Sequence, residues 1–206
     1  MTASPLRARI VRQFARPSGA LGWLAGWIMA HRASNRRRNL WTVDLLRIRP
    51  GERILEIGFG PGLAIEAVLA HGAEAVGLDH SPVMLRMAAR RNAAAVAAGR
   101  ARLSLGGPEV LSPALGTFDK ALAVNVHMFW SDPVAKLAAV GRVLKQDGEL
   151  ALTFQPRNAG ASRQDTERGA ERMVADLHAA GFAEARTEWL PLNPPAVCVL
   201  ARTPVR

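Results

Sequence analysis

Two carboxylates accompany a run that is poor in side chains: Glu56-Ile57-Gly58-Phe59-Gly60-Pro61-Gly62, then Asp79 about 20 residues on. Glycines at 58, 60 and 62 allow a backbone turn to come close to a ligand. A helix that starts straight after such a turn presents unpaired amides to it. A carboxylate at the end of the following strand can accept hydrogen bonds from both hydroxyls of a ribose. The set points to a nucleotide-like ligand, and two ligand classes compete for it. The dinucleotide pattern G-x-G-x-x-G requires glycine at position 63, where Leu63 stands; Gly62 comes one place early and gives G-x-G-x-G. Glu56, two residues before the first glycine, faces an ammonium group well and a pyrophosphate badly. Both departures favour a cationic amino-acid cofactor over a dinucleotide.

The elements around these residues alternate. From residue 53 onward, apolar strand-like runs (53–59, 74–79, 101–105, 118–126, 149–154) are separated by helix-like stretches. Ser81 caps one helix, with Pro82 at its first position, and that alanine-rich helix runs to near Gly99. Helices are also expected over 132–145 and 163–180, the latter closed by Gly181. The chain then ends in two strands without a helix between them, 184–190 and 196–202. This order predicts an α/β, doubly wound, seven-stranded, mainly parallel sheet covered on both faces, with an antiparallel hairpin at one edge.

At this point the residues resemble a family. Ile54 to Gly62 is similar to the first motif of class I S-adenosylmethionine-dependent methyltransferases of the small-molecule group. The resemblance continues in Val76-Gly77-Leu78-Asp79, Phe118-Asp119-Lys120-Ala121 and Val143 to Leu150, and it covers roughly residues 45–156. Where the family usually reads leucine-lysine-proline-glycine-glycine, Gln146 and Asp147 replace the proline and the first glycine. The resemblance implies a Rossmann-like methyltransferase fold with S-adenosylmethionine as cofactor. It places Glu56 near the methionine amino group and Asp79 on the ribose diol. Gly58, Phe59, Gly60 and Gly62 fall in the cofactor turn, Met84 near the adenine, and His80 at the same pocket. An acidic residue often follows the third strand in this family, yet the aspartate expected near Gly107 is absent; Glu109 or a backbone group stands in.

The methyl acceptor is expected past the fourth strand, in Asn125-Val126-His127-Met128-Phe129-Trp130. Asn125 can position cofactor or substrate. His127 can take a proton from the acceptor, because its reference pKa lies near neutrality; the other reading is a polar residue at a loop start. Trp130 is a candidate cleft wall or core residue. The cofactor carries the activated methyl group, so the protein needs alignment more than a catalytic dyad. A non-catalytic cofactor-binding sensor or partner subunit is the alternative of a different class, and a lipid or RNA acceptor is the alternative substrate.

Residues 1–50 read as a separate basic helical cap ahead of a methyltransferase domain over 51–206. They hold ten arginines against one acid, Asp44, whereas the rest of the chain balances 17 basic residues against 16 acidic ones. The net charge of +10 is thus local, and a nucleic-acid binder does not follow from the pI alone. A turn is expected near Ser34-Asn35. Trp23 and Trp27, four apart, share a helix face. With Trp41 and the arginines Arg32, Arg36, Arg37 and Arg38 they fit a lid that attracts an anionic small-molecule acceptor. Binding to a membrane surface, RNA contact and a solvated basic face compete with that reading. The apolar patch at 21–30 is too short to span a bilayer and lacks a cleavage signature. The lone Cys198 offers no internal disulfide, so a cytoplasmic protein without a metal is expected.

Overall fold

The computed structural model describes residues 33–204. Trp23, Trp27 and Arg32 lie outside the described residues. In chain order the elements are α1 (Ala33–Leu45), β1 (Arg53–Ile57), α2 (Leu63–Ala70), β2 (Glu74–Asp79), α3 (Pro82–Arg91), α4 (Ala93–Ala97), β3 (Ala101–Leu105) and β4 (Phe118–Val124). They continue with α5 (Pro133–Val143), β5 (Leu144–Phe154), α6 (Arg163–Ala179), β6 (Ala183–Leu190) and β7 (Ala196–Arg202). The strands form one seven-stranded sheet in the order β3-β2-β1-β4-β5-β7-β6. β3, β2, β1, β4 and β5 run parallel, and β7 is antiparallel to both β5 and β6. The doubly wound sheet and its antiparallel edge are as the alternation of elements predicts.

The central strands β2, β1, β4, β5 and β7 are largely buried on both faces, and their side chains alternate between two cores, whereas the outer strands β3 and β6 stay partly exposed. Leu55, Ile57, Ala121, Ala123, Leu150 and Leu152 pack with α5 and α6. Ile54, Leu122, Val124 and Ala151 pack with α1, α2 and α3. By the same period of two, Glu56 shares the α1/α2/α3 face with Ile54, and Thr153 and Gln155 share it with Ala151.

Helix α1 lies along β5. Thr42 and Thr153 hydroxyls are 2.7 Å apart, while Arg38, one helical turn earlier, reaches Gln155, two residues further along the strand. One helical turn rises about 5.4 Å and two strand residues about 6.6 Å, so an antiparallel helix keeps both contacts in step.

Several boundaries differ from the sequence reading: β4 stops at Val124 rather than 126, and β5 begins at Leu144 rather than 149, within the expected helix 132–145. Ser34 and Asn35 lie in the first turn of α1 rather than in a loop. β1 stops at Ile57 because Gly58 turns to φ +73. The long alanine-rich helix is divided at Asn92, whose side chain bonds the Ala88 and Gly62 carbonyls and so ends α3.

Candidate active site

β1 and β4 are neighbours from which the chain winds in opposite directions, so a crevice opens beyond their C-terminal ends. The ends of β1, β2, β4 and β5 bring the glycine turn, Asp79, Asn125 and Gln155 to that one rim.

The turn is fixed from three sides. Asp79 accepts the Gly60 amide through Oδ2 and the Ser81 amide through Oδ1, both at 2.8 Å. Arg91 Nε donates to the Pro61 carbonyl at 3.0 Å, and Asn92 Nδ2 to the Gly62 carbonyl at 3.3 Å. Gly58 packs so tightly on Val126 that a Cβ there would run into both its methyl groups. A Cβ on Gly60 would meet nothing within 4 Å. The crest of the turn therefore faces open space, as a ligand cradle must.

Beneath the turn, Glu56 is 1% exposed. The Ile65 amide in the first turn of α2 bonds its carboxyl group, yet Oε2 is buried without a partner. Burial first, then the Asp79 charge, raise its pKa to about 8. Burial also raises the pKa of Asp79, against the pull of the Ser81 and Gly60 amides. A buried carboxyl group with a spare acceptor, beside the half-buried Asp79 carboxylate, invites a cationic group that would pair with its charge. A pyrophosphate would meet repulsion here. The residues present thus fit a ligand with a ribose and an ammonium.

The remaining predicted cofactor residues divide. His80 and Glu109 stand 3.6 Å apart at the outer rim, and both crowd the space where a Gly107 side chain would be. Gly107 thus leaves room for this polar pair, which stands where an aspartate was expected. Phe59 and Met84 are fully buried in the α1/α2/α3 core; the Phe59 ring fills the space over Gly77. Asn125, at φ +56, exchanges two hydrogen bonds with the Gln155 backbone, 2.7 Å to its carbonyl and 3.0 Å from its amide. It locks the end of β4 to the end of β5.

His127 sits in a single 3-10 turn, His127–Phe129. Its ring meets Trp130 and Phe154 edge-on at 6.5 and 6.0 Å. Together they line a cleft of about 240 Å³ closed by Gly169, Arg172 and Asp176 of α6. Burial, and then the Arg172 charge, lower the His127 pKa to about 4, and its buried Nδ1 has no partner. The imidazole is neutral at ordinary pH. Trp130 is buried at the wall of this cleft, and Trp41 is partly buried against the α1/α2/α3 core.

Sequence reasoning missed two groups. Arg91 and Asn92 clamp the turn from α3, which nothing in their local spacing announces. Arg38 faces inward, whereas Arg36 and Arg37 are exposed. A signal for that was present: Arg38, Thr42 and Leu45 fall at the i, i+4, i+7 spacing of one helix stripe. Cys198 is buried, and burial pushes its thiol up to about 12, which leaves it inert. Among the described residues no cluster of three metal-ligating side chains occurs, and no helix is long and apolar enough to cross a membrane.

This geometry can be set beside known proteins. The methyltransferase-domain family matches residues 54–148. An uncharacterized methyltransferase of Bacillus subtilis, YdaC, is 36% identical over 184 residues, covering 88% of this chain and 98% of that protein. The chain belongs to the class I S-adenosylmethionine-dependent methyltransferases. The matched segment of this methyltransferase spans the glycine turn, Asp79 and Asn125. Among solved structures, the N-methyltransferase NodS of Bradyrhizobium japonicum, in complex with S-adenosylhomocysteine, superposes with a TM-score of 0.70 at 16% identity, covering 96% of this chain and 97% of that one. The cyclase SpnF superposes with a TM-score of 0.67 at 21% identity, over 84% and 82% of the two chains. These two likenesses concern the fold; one fold hosts more than one chemistry.

Proposed function

We propose that the chain transfers a methyl group from S-adenosylmethionine to a small-molecule acceptor. The observation that carries this reading is the buried, unpartnered Glu56 Oε2 below an open glycine turn that Asp79 holds in place. When bound, the cofactor supplies a methyl group activated on a sulfonium. Glu56 receives the ammonium of the methionine portion, directly or through water. Asp79 keeps lone pairs for the ribose diol while it holds Gly60 and Ser81. Gly58, Gly60 and Gly62 admit the backbone-close portion, and His80 with Gly107 and Glu109 borders the adenine end.

The Asn125–Gln155 lock fixes the acceptor side, since alignment of acceptor and methyl within about 3–3.5 Å is the main demand on the protein. His127, neutral and at the mouth of the α6 cleft, contacts the acceptor. Residues 1–32 precede α1, whose first turn stands at the same rim, and we assign them the role of a lid over the acceptor.

Incubation of cell extract with labelled S-adenosylmethionine and this protein tests the reading. A labelled low-molecular-weight product that disappears with Asp79→Ala supports it. Label found only in protein, lipid or RNA, or in no product, contradicts it. Deleting residues 1–32 should spare S-adenosylhomocysteine binding and depress turnover of that acceptor; full turnover contradicts the lid.

A further inference from the structure

We propose that Arg38, with Gln155 and Arg157, receives an oxyanion group, a carboxylate or a phosphate, carried by the methyl acceptor; this rests on the methyl-transfer reading above.

The Arg38 residue is 4% exposed. Taking a guanidinium out of water costs several kcal/mol unless a charge and full hydrogen bonding compensate. Neither is present. Nη1 donates to Gln155 Oε1 and Nη2 to Asn35 Oδ1, both at 2.6 Å and both neutral acceptors. The buried Nε has no partner. Among the described residues no carboxylate lies within ion-pair distance of Arg38. Nor can the residues before α1 provide a side-chain carboxylate, because Asp44 is the first acid in the sequence.

What faces Arg38 is a second cation. Arg157 Nη1 shares Gln155 Oε1 at 3.4 Å. Burial, and next the Arg157 charge, pull the Arg38 pKa down to about 9. Two guanidinium groups thus converge on one amide oxygen. A simple strut between α1 and β5 explains the Gln155 bond, but the Thr42–Thr153 contact already makes that tie, and a strut requires no second cation. An oxyanion between the two would supply the missing charge and take up the fork geometry that arginine offers.

The position suits an acceptor. Gln155 follows β5, and its backbone is locked to Asn125 at the end of β4. Asn125 precedes Val126, which packs on Gly58 of the cofactor turn. An anionic group held by Arg38 therefore leaves the rest of its molecule on the rim where the methyl is delivered. Gln155 Nε2 donates to the Pro194 carbonyl at 2.7 Å, which fixes the amide with its oxygen towards the arginines.

Calorimetric titration of the full chain with sodium phosphate and with sodium acetate, in chloride buffer at constant ionic strength, tests the site. S-adenosylhomocysteine serves as the parallel titrant. Saturable binding of at least one of the two anions is expected. It should weaken by about tenfold or more in Arg157→Gln and vanish in Arg38→Met, with S-adenosylhomocysteine affinity unchanged in both. Arg157 is exposed, so Arg157→Gln decides the matter even if Arg38→Met does not fold. Wild-type protein that binds neither anion, or an Arg157→Gln variant that binds as tightly as wild type, overturns the proposal. So does sedimentation with anionic phospholipid vesicles without binding of either small anion. Wild-type protein that takes an anion but not S-adenosylhomocysteine upholds the oxyanion site and strikes the methyl-transfer reading instead.

Discussion

Asp79 Oδ2 accepts the Gly60 amide at 2.8 Å, so the acid that ends β2 holds the crest of the turn that ends β1. One side chain thereby shapes the cradle and faces the ligand. Asp79→Ala should weaken S-adenosylhomocysteine binding by about 100-fold, from loss of charge-assisted hydrogen bonds worth roughly 2–3 kcal/mol. It should also lower the thermal midpoint, because the Gly60 and Ser81 amides lose their acceptor. Calorimetry and thermal unfolding read the two effects separately, and unchanged affinity would remove the ribose role.

Glu56 makes the ligand-free protein sensitive to pH. Its pKa is raised from 4.5 to about 8, so the folded chain holds a proton there that the unfolded chain has lost. The stabilising contribution is complete below pH 4.5 and declines as pH rises towards 8, by at most about 1.4 kcal/mol per pH unit. Glu56→Gln should flatten this dependence in denaturant titrations between pH 5 and 8. S-adenosylhomocysteine binding at pH 7 should release a proton from wild type and none from the variant. Equal proton release from both would contradict the pairing of Glu56 with the ammonium.

His127 has a pKa lowered to about 4, so its neutral form dominates at every pH above 5. If it takes the acceptor's proton, kcat/KM should show no inflection from it between pH 5 and 8 and should fall only as pH drops towards 4. His127→Ala should depress turnover and leave cofactor affinity intact. Normal turnover of the variant across that range would exclude a catalytic role.

A side chain at Gly169 has no room, because its Cβ would clash with the edge of the Phe154 ring. Gly169→Ala should destabilise the fold by about 1–3 kcal/mol and disturb the cleft that Phe154 shares with His127. A denaturation midpoint equal to wild type would contradict the packing described.

Much of this architecture is legible in the sequence. Alternating apolar runs gave the order of the strands along the chain, and Ser81-Pro82 marked a helix start that the Ser81 side chain does cap. Glu56, Gly60 and Asp79 were legible because their spacing is set by one strand, one turn and the next strand. Arg91 and Asn92 were not, since they reach the turn through tertiary packing of α3. Met84 illustrates the ambiguity of apolar residues: its helical position fits an adenine neighbour or a core residue, and in the fold it is buried in the core with Phe59, Ile65 and Val83. The sequence groups Arg36, Arg37 and Arg38 in one lid, but a helix rotates each successive residue by about 100°, so Arg38 alone of the three turns towards the sheet.

The most direct test is calorimetric titration of the folded wild-type chain with S-adenosylhomocysteine near neutral pH. A single saturable site, weakened strongly by Asp79→Ala, is the expected result. Absence of binding to protein that unfolds cooperatively would contradict the account at its base.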